Sequence, residues 1–239
     1  MWHHSSMKSI YSGHRYPAQI ISHAVYLYHR FTLSLRDIEE ILAYRGINVT
    51  YETIRHWCLK FGHKFSHNIR TKRGPFNSSW YLDEVFIKIN GQLHYLWRAV
   101  DSNGDEIDIL VQKRKDKRAA IRFFKKLIKG QHCMPESIVT DKLPSYRAAK
   151  KRVMPSVGHT VKQYENNLCE KSHQPTRQQE YQMRRFKSHG QAQRFLSVHG
   201  VVNNLFRLGR HTLKAANYRL LRSRSFAEWE RASYIQNLN

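Results

Sequence analysis

Acidic side chains are scarce in this 239-residue sequence, 18 Asp+Glu against 41 Lys+Arg, so any that stand in apolar surroundings need a reason. Asp83 lies inside Trp80-Tyr81-Leu82-Asp83-Glu84-Val85-Phe86-Ile87-Lys88-Ile89, a run rich in aromatic and β-branched residues where a lone carboxylate is costly to bury. Asp141 closes the short apolar run Ser137-Ile138-Val139-Thr140, just ahead of Lys142-Leu143-Pro144. Glu170 follows Asn166-Asn167-Leu168-Cys169, where a further helix is expected to open. Two unit charges ~4 Å apart repel by ~4 kcal/mol at an effective dielectric of ~20, so three converging carboxylates need a cation. Oxygen-only ligands with open positions for water or phosphate suit Mg²⁺. A pair of such ions ~3.5–4 Å apart supports in-line displacement at a phosphodiester.

Each carboxylate also has a purely structural explanation. Asp83 would face solvent if its strand lay at a sheet edge. Asp141 could cap the helix that starts after Pro144. Asn167-x-x-Glu170 is itself a capping box. Glu84, Asp101, Asp105 and Asp108 compete for a metal, and spacing alone does not choose among them.

The elements that must position these groups follow from periodicity. From Trp80 a strand leads to the hairpin signal Asn90-Gly91. A second strand runs through Leu93, Tyr95, Trp97 and Ala99 to a second turn at Asn103-Gly104, and Ile107, Ile109 and Val111 form a third. A helix begins near Asp116 with Ala120, Phe123, Phe124 and Leu127 on its apolar side. The strand 137–140, a helix carrying Tyr146, Ala149 and Lys150, and a fifth strand within 157–161 complete the set. Three antiparallel strands followed by αβαβ and a helix read as an α/β domain over 80–190, a ribonuclease H-like mixed sheet flanked by helices. In a sheet of that order the first and fourth strands are neighbours, so Asp83 and Asp141 should converge.

Residues 1–16 read as an N-terminal tail, and 17–64 as an all-α helix-turn-helix domain. Ile21, Ala24, Val25 and Tyr28 mark one helix face. Ser34 with Asp37 forms a capping box ahead of Leu35, Ile38, Ile41 and Leu42, and Gly46 supplies the stop. Thr50 should cap a third helix with Ile54, Trp57, Cys58 and Phe61 inward. Tyr51, Thr53, Arg55, His56 and Lys60 are then left facing outward, hydroxyls and bases suited to DNA contact. Residues 65–79 show no period and read as a basic linker. A helical C-terminal region spans 191–239, with Phe195, Leu196, Val201, Leu205, Phe206, Leu213, Leu220, Leu221, Phe226 and Trp229 as its apolar positions.

The formal net charge of +23 calls for a polyanionic partner. Lys and Arg are spread from Lys8 to Arg231 rather than gathered on one amphipathic segment. That distribution favours a phosphate backbone over a membrane surface. No run of about 18 apolar residues is present, and the first residues offer no secretory signal, so a cytoplasmic protein without a membrane partner is expected. Cys58, Cys133 and Cys169 are odd in number with no C-x-x-C pair, which points to a reducing compartment and no structural metal.

Ordered motifs then carry a resemblance. Tyr81-Leu82-Asp83-Glu84-Val85-Phe86-Ile87-Lys88-Ile89 with Tyr95-Leu96-Trp97-Arg98-Ala99-Val100-Asp101 resembles the D-E-T-Y-I-K-V … Y-L-Y-R-A-V-D core of bacterial insertion-sequence transposases. Thr140-Asp141-Lys142-Leu143-Pro144-Ser145-Tyr146 is similar to their T-D-K-x-x-x-Y. Asn166 to Arg177, followed by Met183-Arg184-Arg185-Phe186-Lys187-Ser188, resembles their N-N-x-x-E-x-S-H-x-P-T-R … M-x-x-F-K-S. The resemblance is to insertion-sequence family six and runs from about Tyr16 to Trp229. Val85-Phe86 stands where T-Y is commoner, a difference of packing more than of metal binding.

The resemblance implies that Asp83, Asp141 and Glu170 are a D-D-E catalytic triad holding two Mg²⁺, with Mn²⁺ as a substitute. It implies strand cleavage at the ends of an element and joining of the 3′-hydroxyls to target DNA, with a cointegrate as the replicative product. It gives the amino-terminal helices the task of reading terminal inverted repeats in double-stranded DNA. The face carrying His173 and Arg177 would approach the scissile phosphate, and Lys142, Arg184, Arg185 and Lys187 would contact DNA. Joining two ends favours a homodimer, working on the bacterial nucleoid. The rival expectations are a non-catalytic DNA-binding regulator descended from a transposase and a nuclease that hydrolyses without joining.

Overall fold

In a computed structural model of the chain, residues 9–161, 177–178, 181, 186–209 and 212–234 are described. They fall into two units, Arg73–Asn204 and Met1–Lys72 with Leu205–Asn239.

The first unit is built on five strands: β1 (Ser79–Ile89), β2 (Gln92–Asp101), β3 (Glu106–Gln112), β4 (Ser137–Thr140) and β5 (Gly158–Val161). Their order is β3-β2-β1-β4-β5. The three amino-terminal strands are antiparallel, while β4 and β5 join parallel to β1. Turn chemistry sets the meander. Asn90 and Gly91 both take positive φ, 48° and 78°, the two-residue turn whose twist matches the strands it joins. At the next turn the buried Asp101 carboxylate accepts the N–H groups of Asn103 at 3.0 Å and Asp105 at 2.9 Å.

One sheet face, through Trp80, Leu82, Trp97 and Ala99, packs on two helices. These are α4 (Lys117–Gln131), presenting Ala120, Phe123, Phe124 and Leu127, and α5 (Pro144–Val153), presenting Tyr146 and Ala149. Asp116 caps α4 by accepting the Ala119 N–H at 2.8 Å. A further helix, α6 (His189–Phe206), covers the edge of the sheet. An open strand edge presents unpaired N–H and C=O groups, a template for unwanted pairing. Here Gln193 Oε1 accepts the Val111 N–H at 2.9 Å, and Asn204 exchanges hydrogen bonds with the Glu106 backbone at 2.9 and 2.8 Å. His189 reaches the Val111 carbonyl at 3.0 Å. The edge strand is thus satisfied by side chains.

The second unit holds α1 (Ala18–Arg30), α2 (Leu35–Tyr44), α3 (Tyr51–Lys72) and α7 (Ala215–Tyr234). The expected capping box is present: the Asp37 N–H donates to Ser34 Oγ and the Ser34 N–H to Asp37 Oδ2. Gly46 takes φ +75° between α2 and α3. The core faces expected for α1 and α3 are inward, although Tyr28 is only half-buried and Ile41 is exposed at the end of the short α2.

Two expectations about boundaries are corrected. The basic linker expected at 65–79 begins instead after Lys72, because Phe61, Phe65 and Ile69 continue the buried face of α3 at helical spacing. The helical region expected at 191–239 is not one tail. Its first helix belongs with the sheet, while α7 packs on α1 and α3: Trp229 meets Phe65 edge-on at 5.5 Å, and Asn68 Nδ2 donates to the Ala232 carbonyl at 2.8 Å. This packing covers Tyr26, whose ring lies 5.9 Å from that of Trp229, on a side of α1 that a three-helix reading leaves in water. Of the apolar positions expected in α7, Leu220 and Phe226 are exposed.

Candidate active site

The pairing of β1 with β4 runs to Leu82 opposite Thr140, so Asp83 and Asp141 are the next residues on two adjacent parallel strands. Strand alternation directs Asp83 and Glu84 to opposite faces of β1. Asp141 stands just past the end of β4, which stops at Thr140. Asp83, Glu84 and Asp141 each present a carboxylate oxygen within 4.8 Å of the others. An all-oxygen set at this spacing fits a hard divalent cation such as Mg²⁺.

The structural explanations for the first two carboxylates fail. Asp83 is on the central strand, not on an edge. Asp141 is not a helix cap: Leu143 occupies the N-cap of α5 without a side-chain cap, and Asp141 Oδ1 accepts the Leu143 N–H at 3.0 Å, bracing the turn. Asp101, Asp105 and Asp108 are engaged elsewhere, in the β2–β3 turn, with Arg73 at 2.7 Å, and with Lys126.

Glu84 was one competitor among several in the sequence, and the fold brings it into the cluster with its side chain 1% exposed. Its partner is Lys115, which the sequence did not single out. Burial pushes the Glu84 carboxyl up, Lys115 and the Tyr146 hydroxyl pull it back, and the charge of Asp141 raises it further. Burial works against the charge of Lys115, but Glu84, Asp141 and Asp83 together outweigh it and hold the ammonium protonated above its ordinary range. Lys115 sits in Lys113-Arg114-Lys115-Asp116-Lys117-Arg118, where nothing in the sequence marks it off from its basic neighbours.

Beside Asp141 opens a cavity of about 430 Å³, lined by Lys142, Arg147, Lys151 and His159. Lys142 is exposed at its mouth. His159 bonds the Thr140 hydroxyl at 2.9 Å, and burial with the nearby Lys150 and Arg147 lowers its pKa. Arg177 and Lys187 are exposed. Glu170, His173, Arg184 and Arg185 lie outside the described residues.

On α3, Arg55, His56 and Lys60 face outward as expected. Arg55 is paired with Glu52 at 2.8 Å, and Lys60 Nζ lies 3.3 Å from His14 Nε2. Tyr51 and Thr53 are half-buried and already engaged. The Tyr51 ring lies 4.4 Å from the Arg36 guanidinium, and the Thr53 hydroxyl bonds Thr50 at 3.0 Å.

A mixed sheet of this order, with a carboxylate inside its central first strand beside one just past the end of its fourth, defines a ribonuclease H-like domain of the polynucleotidyl transferase class. Residues 77–208 match the DDE domain of IS240-type transposases. Over 159 residues the chain is 37% identical to the Staphylococcus aureus transposase for the insertion sequence-like element IS431mec, covering 64% of this chain and 70% of that one. It is 36% identical over the same length to the S. aureus transposase for insertion sequence element IS257 in transposon Tn4003. Among solved structures it is similar to a simian T-cell lymphotropic virus intasome chain at 16% identity and TM-score 0.43, covering 70% of this chain and 58% of that one. The magnesium-bound HTLV-2 integrase catalytic core is similar at 17% identity and TM-score 0.35, over 70% and 92%. The chain belongs to the D-D-E transposases of insertion-sequence family six.

Proposed function

We propose that Asp83 and Asp141, with Glu170 as the third carboxylate, form the catalytic triad of this transposase and hold two Mg²⁺ ions, with Mn²⁺ able to replace them. The observation that carries the reading is the juxtaposition of Asp83, inside the central strand, and Asp141, just past the end of β4, with oxygens within 4.8 Å of each other. Divalent ions in such a site supply Lewis-acid activation of the attacking oxygen and charge relief for the leaving one. The chain's own part is to hold the carboxylates beside the end of β4 and to seat DNA next to them. The Leu143 N–H fixes the Asp141 carboxylate, and Lys142 stands next to it at the basic cavity as a backbone contact. Arg177 and Lys187 are exposed bases suited to the same purpose, and His173, Arg184 and Arg185 are assigned to it from the family motifs. Arg55, His56 and Lys60 on α3, with Tyr51 and Thr53 at its start, are assigned to double-stranded DNA at the terminal inverted repeats.

In this reading the protein cleaves at the element's ends and joins 3′-hydroxyls to target DNA by the replicative, cointegrate-forming route. It acts as a homodimer on the bacterial nucleoid in the cytoplasm. Among the described residues no helix is long and apolar enough to cross a membrane. The test supplies pre-cleaved ends carrying a free 3′-hydroxyl. D83N, D141N and E170Q should each lower strand transfer by about a thousandfold or more, the several kcal/mol that metal-held charge stabilisation provides, while end binding stays within about threefold of wild type. Robust joining by any one variant removes that residue from the triad.

A further inference from the structure

Lys115 has no task in the chemistry above, yet its ammonium is ion-paired to the buried Glu84 and lies in the field of Asp141 and Asp83 as well. Three carboxylates with oxygens within 4.8 Å of one another repel strongly wherever water is partly excluded. The charged groups that act on Glu84 are Lys115 and Asp141, and Lys115 feels the charges of Glu84, Asp141 and Asp83, so it is a cation placed to offset the cluster's charge. Its place in the chain is fixed, because the next residue, Asp116, caps α4 through the Ala119 N–H at 2.8 Å. Its side chain is still 29% exposed, which leaves the ammonium a way out to water.

We propose that Lys115 is a positioning residue that serves as the resident counter-cation of the acidic cluster, holding Asp83, Glu84 and Asp141 together through Glu84 and opposing divalent-ion binding by its own charge. The metal-free pocket is kept intact by Lys115, and each arriving ion works against that positive charge. The affinity for Mg²⁺ is therefore set by Lys115 and Glu84 in opposite directions. The inference rests on the reading of Asp83 and Asp141 as metal-holding residues.

The experiment is a calorimetric Mg²⁺ titration of the metal-free full-length protein, with melting temperature measured with and without Mg²⁺. Wild type, K115M, K115R, E84Q, the K115M/E84Q double variant and D83N are compared. K115M should bind Mg²⁺ about tenfold more tightly and show a larger metal-induced rise in melting temperature. E84Q should bind about tenfold more weakly, as expected for one unit charge near a divalent ion in a partly hydrated site. The double variant, with local charge restored, should return to within about threefold of wild type, and K115R should match wild type. If K115M does not fold without metal, Mg²⁺ should restore its fold and the double variant should fold without it. Either failure counts against the proposal. It is also overturned if K115M binds Mg²⁺ no better than wild type. If wild type itself shows no Mg²⁺ binding that D83N abolishes, the reading of the site as a metal centre is what fails.

Discussion

His159 shows at the scale of one residue how the basic ground of this protein acts on a titrating group. Its imidazole bonds the Thr140 hydroxyl one residue before Asp141. Partial burial, then Lys150 and Arg147, depress its pKa below the ordinary value of 6.5. A depressed folded-state pKa means that the unfolded chain takes up the proton first as pH falls. The stabilising contribution of neutral His159 is therefore fully present above pH 6.5 and is lost as pH drops below it. H159Q removes this titration. The stability of wild type relative to H159Q, from urea unfolding at pH 7, 6 and 5, should fall steadily toward the acid end. A difference that stays constant across those pH values would show that the imidazole is not held neutral by its neighbours.

At the scale of elements, α6 lies close enough to β3 that one glycine decides the contact. A Cβ built on Gly200 would come 1.6 Å from Glu106 Oε1, whose carboxylate pairs with Arg98 Nε at 2.8 Å. Both side chains are under a tenth exposed, and Arg98 lies directly across β1–β2 from Asp83. G200A must displace this buried pair, so it should lower stability by about 1–3 kcal/mol despite the better helix propensity of alanine. Gly190 on the same helix is a control, because its Cβ would meet only the tip of Arg194 at 3.2 Å. G190A should be neutral or mildly stabilising in the same thermal melts.

What the sequence disclosed at this level was local in origin. The Asn90-Gly91 turn, the Ser34 capping box and the inward faces of α1, α3 and α4 are each written within a dozen residues. Asp83 and Asp141 were visible because a carboxylate in an apolar strand is conspicuous. Gln193, Asn204 and His189 were not, since their partners on β3 lie about eighty to a hundred residues earlier in the chain. Lys115 stayed hidden among other bases, and Glu84 could be separated from rival acids only by a three-dimensional neighbour.

Across the whole molecule the chain returns at its end to the unit with which it began, and that return has an energetic consequence. Without α7 the amino-terminal helices would expose Phe65 and Tyr26, lose the Trp229 ring, and leave Asn68 without the carbonyl it serves. Tyr11 would also lose the Ser233 carbonyl, to which its hydroxyl donates at 2.9 Å. Removal of a buried aromatic side chain alone costs about 3–5 kcal/mol, against a typical total of about 5–15 kcal/mol for a domain. Truncation after Gly209 should therefore unfold the helical unit. The unit Arg73–Asn204 has its own core, drawn from β1, β2, α4 and α5, and owes none of it to α7. Limited proteolysis of the truncated protein should digest the segment before Lys72 rapidly and leave a resistant fragment that begins near Arg73. On the assignments proposed above, binding to terminal repeats should fall with it, while Mg²⁺ binding at Asp83 and Asp141 persists. An amino-terminal segment as resistant as in the full chain would show that α1–α3 form a self-sufficient bundle and that α7 only decorates it.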